Sequence, residues 1–98
     1  MRQVIRSDHA ERDLDEILTY LAQYSIPAAD RFAVELADWC RLLPSQPMLG
    51  RNRDDLHPGM RSVVIERYVM FFLSTATEIQ VVRIIHGSRN ITPDMFSP

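Results

Sequence analysis

The sequence predicts an α+β domain in the order β-α-α-β-β-β. A short N-terminal strand is followed by an antiparallel α-hairpin packed on one face of a small antiparallel sheet. Three observations carry that expectation. Apolar residues recur at helical spacing through the first half of the chain. After residue 60 the period changes, and three runs rich in β-branched and aromatic residues follow one another. Between the halves, residues 44–60 (PSQPMLGRNRDDLHPGM) are polar and punctuated by proline and glycine, the composition of a loop.

Each element has its own signal. Gln3 to Arg6 carries Val4 and Ile5 and reads as a brief strand. Ala10, Leu14, Ile17, Leu18 and Leu21 then form one stripe of an amphipathic helix. Asp8 with Glu11 resembles a capping box, and Ser7 is the competing cap. Asp13, Asp15 and Glu16 fall in the first turns, where the helix dipole favours acids.

Tyr24-Ser25-Ile26-Pro27 ends this helix and starts the next, since proline is tolerated in a first turn. Ala29, Phe32, Ala33, Leu36, Cys40 and Leu43 supply the second stripe, and Pro44 and Pro47 stop it. So short a link forces the two helices antiparallel. Arg61–Glu66, Tyr68–Thr75 and Glu78–His86 read as three strands of an antiparallel meander, with turns at Glu66-Arg67 and Ala76-Thr77. The tail SRNITPDMFSP has room for one helical turn or a short edge segment. A helix pair covers one face of such a sheet, so the other face is expected to stay open.

Ninety-eight residues are enough for a single domain, 1–98, with one modest core. No apolar stretch approaches the ~20 residues that cross a bilayer, and the first residues have no apolar run of the signal-peptide type. A single cysteine excludes an internal disulfide or a cysteine zinc cluster and fits a reducing, cytoplasmic setting. The net charge of −2 hides an uneven layout. Asp8 to Pro44 holds eight acids and three arginines; Arg51 to Ile91 holds six arginines and four acids. All eleven basic residues are arginine, suited to bidentate contact with phosphate or carboxylate, although an arginine-preferring codon usage accounts for the total equally simply.

The segment RIIHGSRN, 83–90, concentrates the candidate chemistry. Strict alternation would put Ile79, Val81, Arg83 and Ile85 on one face and Val82, Ile84 and His86 on the other. Arg83 in so apolar a strand needs a partner. Either it pairs with an acid such as Glu66 or Asp13, or it contacts another molecule. Gly87 is expected to take a positive φ and turn the chain, bringing His86 and Arg89 together. His86 beside Arg83 and Arg89 could serve acid–base chemistry on RNA, or be a hydrogen-bonded strand terminator. Trp39 lies off the second stripe and either edges the core or docks a partner. His9 and His57 have no neighbours at metal-ligand spacing, so neither a metal nor a cofactor is expected.

Six stretches in order resemble one family. They are Asp13-Leu14 with Glu16-Ile17 and Tyr20; Ser25-Ile-Pro-Ala-Ala29 with Arg31-Phe32; Pro47-Met-Leu-Gly-Arg51 with Arg53-Asp54; Pro58-Gly-Met-Arg61; Tyr68-Val-Met-Phe-Phe72; and Arg83-Ile-Ile-His-Gly87 with Arg89. Together the chain resembles a ParE-type toxin of the RelE/ParE superfamily, from bacterial type II toxin–antitoxin modules. The resemblance implies a growth-arresting toxin held inactive by a ParD-like antitoxin, with DNA gyrase as its target. The alternative it implies is a RelE-like ribosome-dependent mRNA endoribonuclease using Arg61, His86 and Arg89. RelE-like enzymes typically carry lysines in the loop before the strands and a tyrosine near the C-terminus. This chain has Arg51 and Arg53 in the loop and Met95-Phe96 in the tail, which favours gyrase. On that reading no residue is catalytic, and the target-contact candidates are Arg61, Arg83, His86, Arg89, Met95 and Phe96. Ile26 stands where the family usually has a capping asparagine, which would weaken that cap by ~1 kcal/mol. The antitoxin is expected along the apolar surface left on the α-hairpin and the strand edges.

Overall fold

The computed structural model describes residues 1–96. Its elements are β1 (Gln3–Arg6), α1 (Asp8–Tyr24), α2 (Ile26–Leu42), β2 (Arg51–Asn52), β3 (Arg61–Ile65), β4 (Tyr68–Ser74), β5 (Glu78–His86) and a single 3-10 turn over Pro93–Phe96. The sheet order is β1-β5-β4-β3-β2. β3, β4 and β5 form the expected antiparallel meander, while β1 runs parallel to β5 and makes the sheet mixed. None of its helices is long and apolar enough to cross a membrane among the described residues.

Caps decide where the helices begin. Ser7 starts α1: its side chain accepts the Ala10 N–H at 3.0 Å and donates to the Val82 carbonyl at 2.8 Å. The helix is thereby tied to β5 at its first residue. Glu11 is not half of a capping box; it pairs with Arg6 at 2.7 Å. Ser25 ends α1 and starts α2, with its backbone N–H on the Leu21 carbonyl and its side chain accepting from Ala28 N–H at 3.2 Å. The cap that Ile26 cannot provide is therefore supplied one residue earlier.

Ala10, Leu14 and Ile17 from α1 meet Phe32, Leu36 and Leu43 on one face of the sheet, over Val63, Ile65, Met70, Phe72, Ile79, Val81 and Ile84. Trp39 and Cys40 pack on the margin of this core, and burial pushes the Cys40 thiol pKa up. Ala33 departs from the expected stripe and is exposed.

The opposite face stays open only in part: Val64 on β3 is exposed there, but the rest carries a core of its own. Leu56, Met60, Phe71, Ile85 and Phe96 form a second buried cluster, closed by the 53–60 loop and the tail. Two details hold the loop. Asp54 accepts the Gly59 N–H at 2.8 Å and an Asn52 amide N–H at 3.0 Å, which together hold its carboxyl below the usual range. Arg53 lies over the Phe71 ring at 5.7 Å while pairing with Asp55 at 3.1 Å. Of the two forms expected for the tail, a helical turn and an edge segment, the chain takes the turn, and its Phe96 closes the second core.

Alternation along β5 also fails at one place, for a physical reason. The register with β4 slips between Phe71 and Phe72, so Phe72 opposes Val81 and Phe71 opposes Arg83. Val82 is the extra residue of a bulge, and the phase shifts beyond it. Ile79, Val81 and Ile84 consequently share the helix-covered core, whereas Val82 and Ile85 belong to the second cluster. This shift decides where Arg83 and His86 lie.

Candidate functional site

β1 stops at Arg6, so the edge of β5 beyond Val81 has no neighbouring strand, and α1 lies there instead. Asp13 on α1 fills that gap. Its carboxylate accepts Arg83 Nε at 2.8 Å, Arg83 Nη2 at 3.1 Å and the backbone N–H of Ile84 at 3.0 Å. Both side chains are only 14% exposed. The fork-on-carboxylate geometry raises the Arg83 pKa further, chiefly through the hydrogen bonds to Asp13 and against the pull of desolvation. Of the two readings of Arg83, the ion pair is the one the structure contains. Its partner is Asp13 and not Glu66, which lies against Arg31 at 3.9 Å.

Three residues on, the same strand ends in the open. His86 pairs in register with Tyr68, and their rings meet edge-on at 5.2 Å. The Ser88 N–H donates to His86 Nδ1 at 3.1 Å, so the neutral ring carries its proton on Nε2. Gly87 does not take the positive φ expected of it, whereas the other two glycines, Gly50 and Gly59, do. What Gly87 supplies is closeness: its N–H bonds the Arg67 carbonyl at 2.9 Å, and a Cβ would sit 3.3 Å from that oxygen. The Arg89 N–H closes on the His86 carbonyl at 3.0 Å. Arg67, His86 and Arg89 thus gather at one end of the sheet, all exposed.

Next to them, between the α1–α2 link and the β3–β4 turn, lies a cleft of ≈ 510 Å³. Tyr20 and Tyr24 form one wall, with ring centroids 5.0 Å apart; Tyr68 and His86 form another, with Arg31 and Arg67 beside them. Burial raises the Tyr68 pKa, with a smaller contribution from Tyr20. Sequence reasoning missed Tyr20, Tyr24, Arg31 and Arg67 as a group. Their signal was two tyrosines at i, i+4, along the flank of the apolar stripe where it ends at Leu21.

The other candidates lie apart. Arg61 is four residues along the strand direction and two strands over from His86, since Ile65 opposes Tyr68 and Tyr68 opposes His86. That is roughly 13 Å along the strands and roughly 10 Å across them. Its guanidinium donates to the Leu49 carbonyl at 3.1 Å and the Gly50 carbonyl at 2.9 Å. Gly50 has φ +86°, and a Cβ there would come within 2.4 Å of the Ser62 carbonyl, so the anchor of Arg61 requires glycine. Phe96 is 8% exposed and packs on Phe71 at 4.9 Å, and Met95 is half-buried beside it. Burial takes Arg83 and Phe96 away from the accessible rim.

Comparison with known proteins identifies the family. The model for the ParE toxin of type II toxin–antitoxin systems (parDE) matches residues 4–91. The chain belongs to the ParE toxin family. Among curated relatives it is similar to Toxin ParE3 of Caulobacter vibrioides, 24% identical over 96 residues that cover 97% of this chain and 96% of the relative. Among solved structures it is similar in fold to a chain of the chromosomal ParDE toxin–antitoxin system from P. aeruginosa. There the identity is 24%, the TM-score 0.68, and the match covers 88% of this chain and 96% of that one. As a ParE family member, the protein is the toxin component of a type II toxin–antitoxin system.

Proposed function

We propose that this toxin arrests growth by inhibiting DNA gyrase in the cytoplasm, through contacts made by His86 and Arg89, and that a ParD-like antitoxin neutralises it. The observation that carries the choice of target is the separation of Arg61 from His86 and Arg89. A ribonuclease working through those three residues would need them around one phosphate, within hydrogen-bond reach. A binding toxin needs only an accessible rim, and His86 and Arg89 supply one. The family match, the naming of the Caulobacter relative as a ParE toxin and the ParDE origin of the similar fold support the antitoxin half of the reading.

Two assays on the purified toxin test it. Gyrase supercoiling is expected to be inhibited in a dose-dependent manner, and mRNA in programmed ribosomes is expected to stay intact. Intact supercoiling together with cleaved mRNA would replace this reading with the RelE-like one.

A further inference from the structure

The turn that follows β5 is exposed from Gly87 to Asn90, yet its first three amides are all bonded within the protein. Gly87 N–H donates to the Arg67 carbonyl at 2.9 Å, Ser88 N–H to His86 Nδ1 at 3.1 Å and Arg89 N–H to the His86 carbonyl at 3.0 Å. The Ser88 hydroxyl reaches the same His86 nitrogen at 2.7 Å. Water would satisfy an exposed amide as well, so these bonds fix a shape rather than rescue buried groups.

Each bond settles one property of the rim. With the Nδ1 lone pair occupied from Ser88, the neutral ring is a donor through Nε2 alone. The ring's position is set separately by Tyr68, which it meets edge-on at 5.2 Å. Gly87 sets how closely the turn approaches the β3–β4 turn. A Cβ there would lie 3.3 Å from the Arg67 carbonyl and 3.8 Å from a Val69 methyl group. Its φ is not left-handed, so what the position requires is space. Arg89 therefore leaves the backbone from a point fixed by both neighbours.

We infer that Ser88 and Gly87 are positioning residues for target contact. Ser88 holds His86 in the Nε2–H tautomer and ties its ring to the turn. Gly87 lets the turn close on the Arg67 carbonyl, and with it fixes the origin of the Arg89 side chain. The target then meets two donors already in place, the imidazole N–H and the guanidinium, and supplies oxygen acceptors to them. A frame of this kind strengthens binding by removing the cost of ordering a free loop. The inference rests on the reading of His86 and Arg89 as contact residues and adds two residues that act through them.

The test combines supercoiling inhibition by purified toxin, melting temperature and the nitrogen NMR spectrum of the imidazoles. The spectrum is taken at about pH 8, where an ordinary imidazole is neutral, and His86 is assigned by its loss in His86→Ala. Wild type is expected to show the Nε2–H form of His86. Ser88→Ala is expected to melt as wild type, to raise the Nδ1–H share and to need about three- to tenfold more toxin for half-inhibition. Ser88→Thr, which keeps the hydroxyl, is expected to restore tautomer and potency. Gly87→Ala must push the Arg67 carbonyl away by a few tenths of an ångström, and is expected to lose potency by a similar factor while remaining folded.

Wild-type potency in Ser88→Ala or Gly87→Ala, beside lost potency in Arg89→Ala, overturns the role of that residue and leaves the contact reading standing. A Ser88→Thr as weak as Ser88→Ala, or a potency loss in Ser88→Ala matched by a lower melting temperature, overturns positioning in favour of a purely structural part. Wild-type potency in His86→Ala and Arg89→Ala overturns the contact reading itself.

Discussion

The middle of β5 and the turn that follows it carry the same residue types under opposite conditions. Arg83 and Arg89 are six positions apart, one held by a carboxylate and a helix, the other exposed with no ion-pair partner among the described residues. The difference arises from where β1 stops. Past Val81 the strand edge is empty, α1 moves in to fill it, and Asp13 satisfies both Arg83 and the Ile84 N–H. Beyond His86 the chain from 87 to 90 is exposed, and Arg89 is open to solvent. A cationic motif in a sequence is therefore a statement about chemistry; the neighbouring element decides whether that chemistry stabilises the fold or is offered to a partner.

Breaking the held region should have the largest effect. Asp13→Ala strands a guanidinium that is 14% exposed and a backbone N–H, and should cost ~3 kcal/mol once the residual exposure is allowed for. For a chain of this size that lowers the melting temperature by roughly 12–20 °C, readable by circular dichroism. Arg83→Ala should cost a similar amount, and the double variant should be clearly sub-additive. Phe96→Ala probes the tail closure over the second cluster. A loss of ~2 kcal/mol is expected in urea unfolding, below the ~3–5 kcal/mol usual for a buried phenylalanine because a segment near the chain end can relax.

Smaller changes sharpen the open end. Glu66 sits at φ +55° in the two-residue β3–β4 turn, a left-handed conformation that a side chain disfavours. Glu66→Gly should stabilise by up to ~1 kcal/mol, and an unchanged or lowered midpoint would mean that the Arg31 contact outweighs the strain. At the 53–60 loop the Asp54 pKa is lowered in the folded state, so its contribution is full above the ordinary carboxylate range. It is lost as pH falls through the lowered folded value. Asp54→Asn should therefore melt with a slightly flatter acid limb than wild type, and parallel limbs would remove that role.

Much of the fold was legible because it depends on local pattern: both helical stripes, the Pro27 start, the β-rich third and its two turns. What escaped depends on contacts between distant segments. The bulge at Val82 inverted the facing of the strand after it, and no residue signal marks it. Ser25 replaced the missing asparagine cap only because the α1–α2 link positions it to cap α2. The second core was hidden because Leu56, Met60 and Phe96 come from a loop and a tail, where apolar residues show no periodicity. At the site, an arginine inside an apolar strand calls for a partner, and Asp13 at the start of α1 is one that the sequence offers. The tyrosine cleft escaped because its walls come from α1, the β3–β4 turn and the end of β5, which the chain brings together only when folded.

The most direct test compares Arg83→Ala with Arg89→Ala for melting temperature and for growth arrest on induction. Arg83→Ala should lose stability by several degrees or more. Arg89→Ala should melt as wild type, within ~0.5 kcal/mol, yet lose growth arrest. Arrest at wild-type strength in Arg89→Ala, or wild-type stability in Arg83→Ala, would contradict the division between a held β5 and the offered turn that follows it.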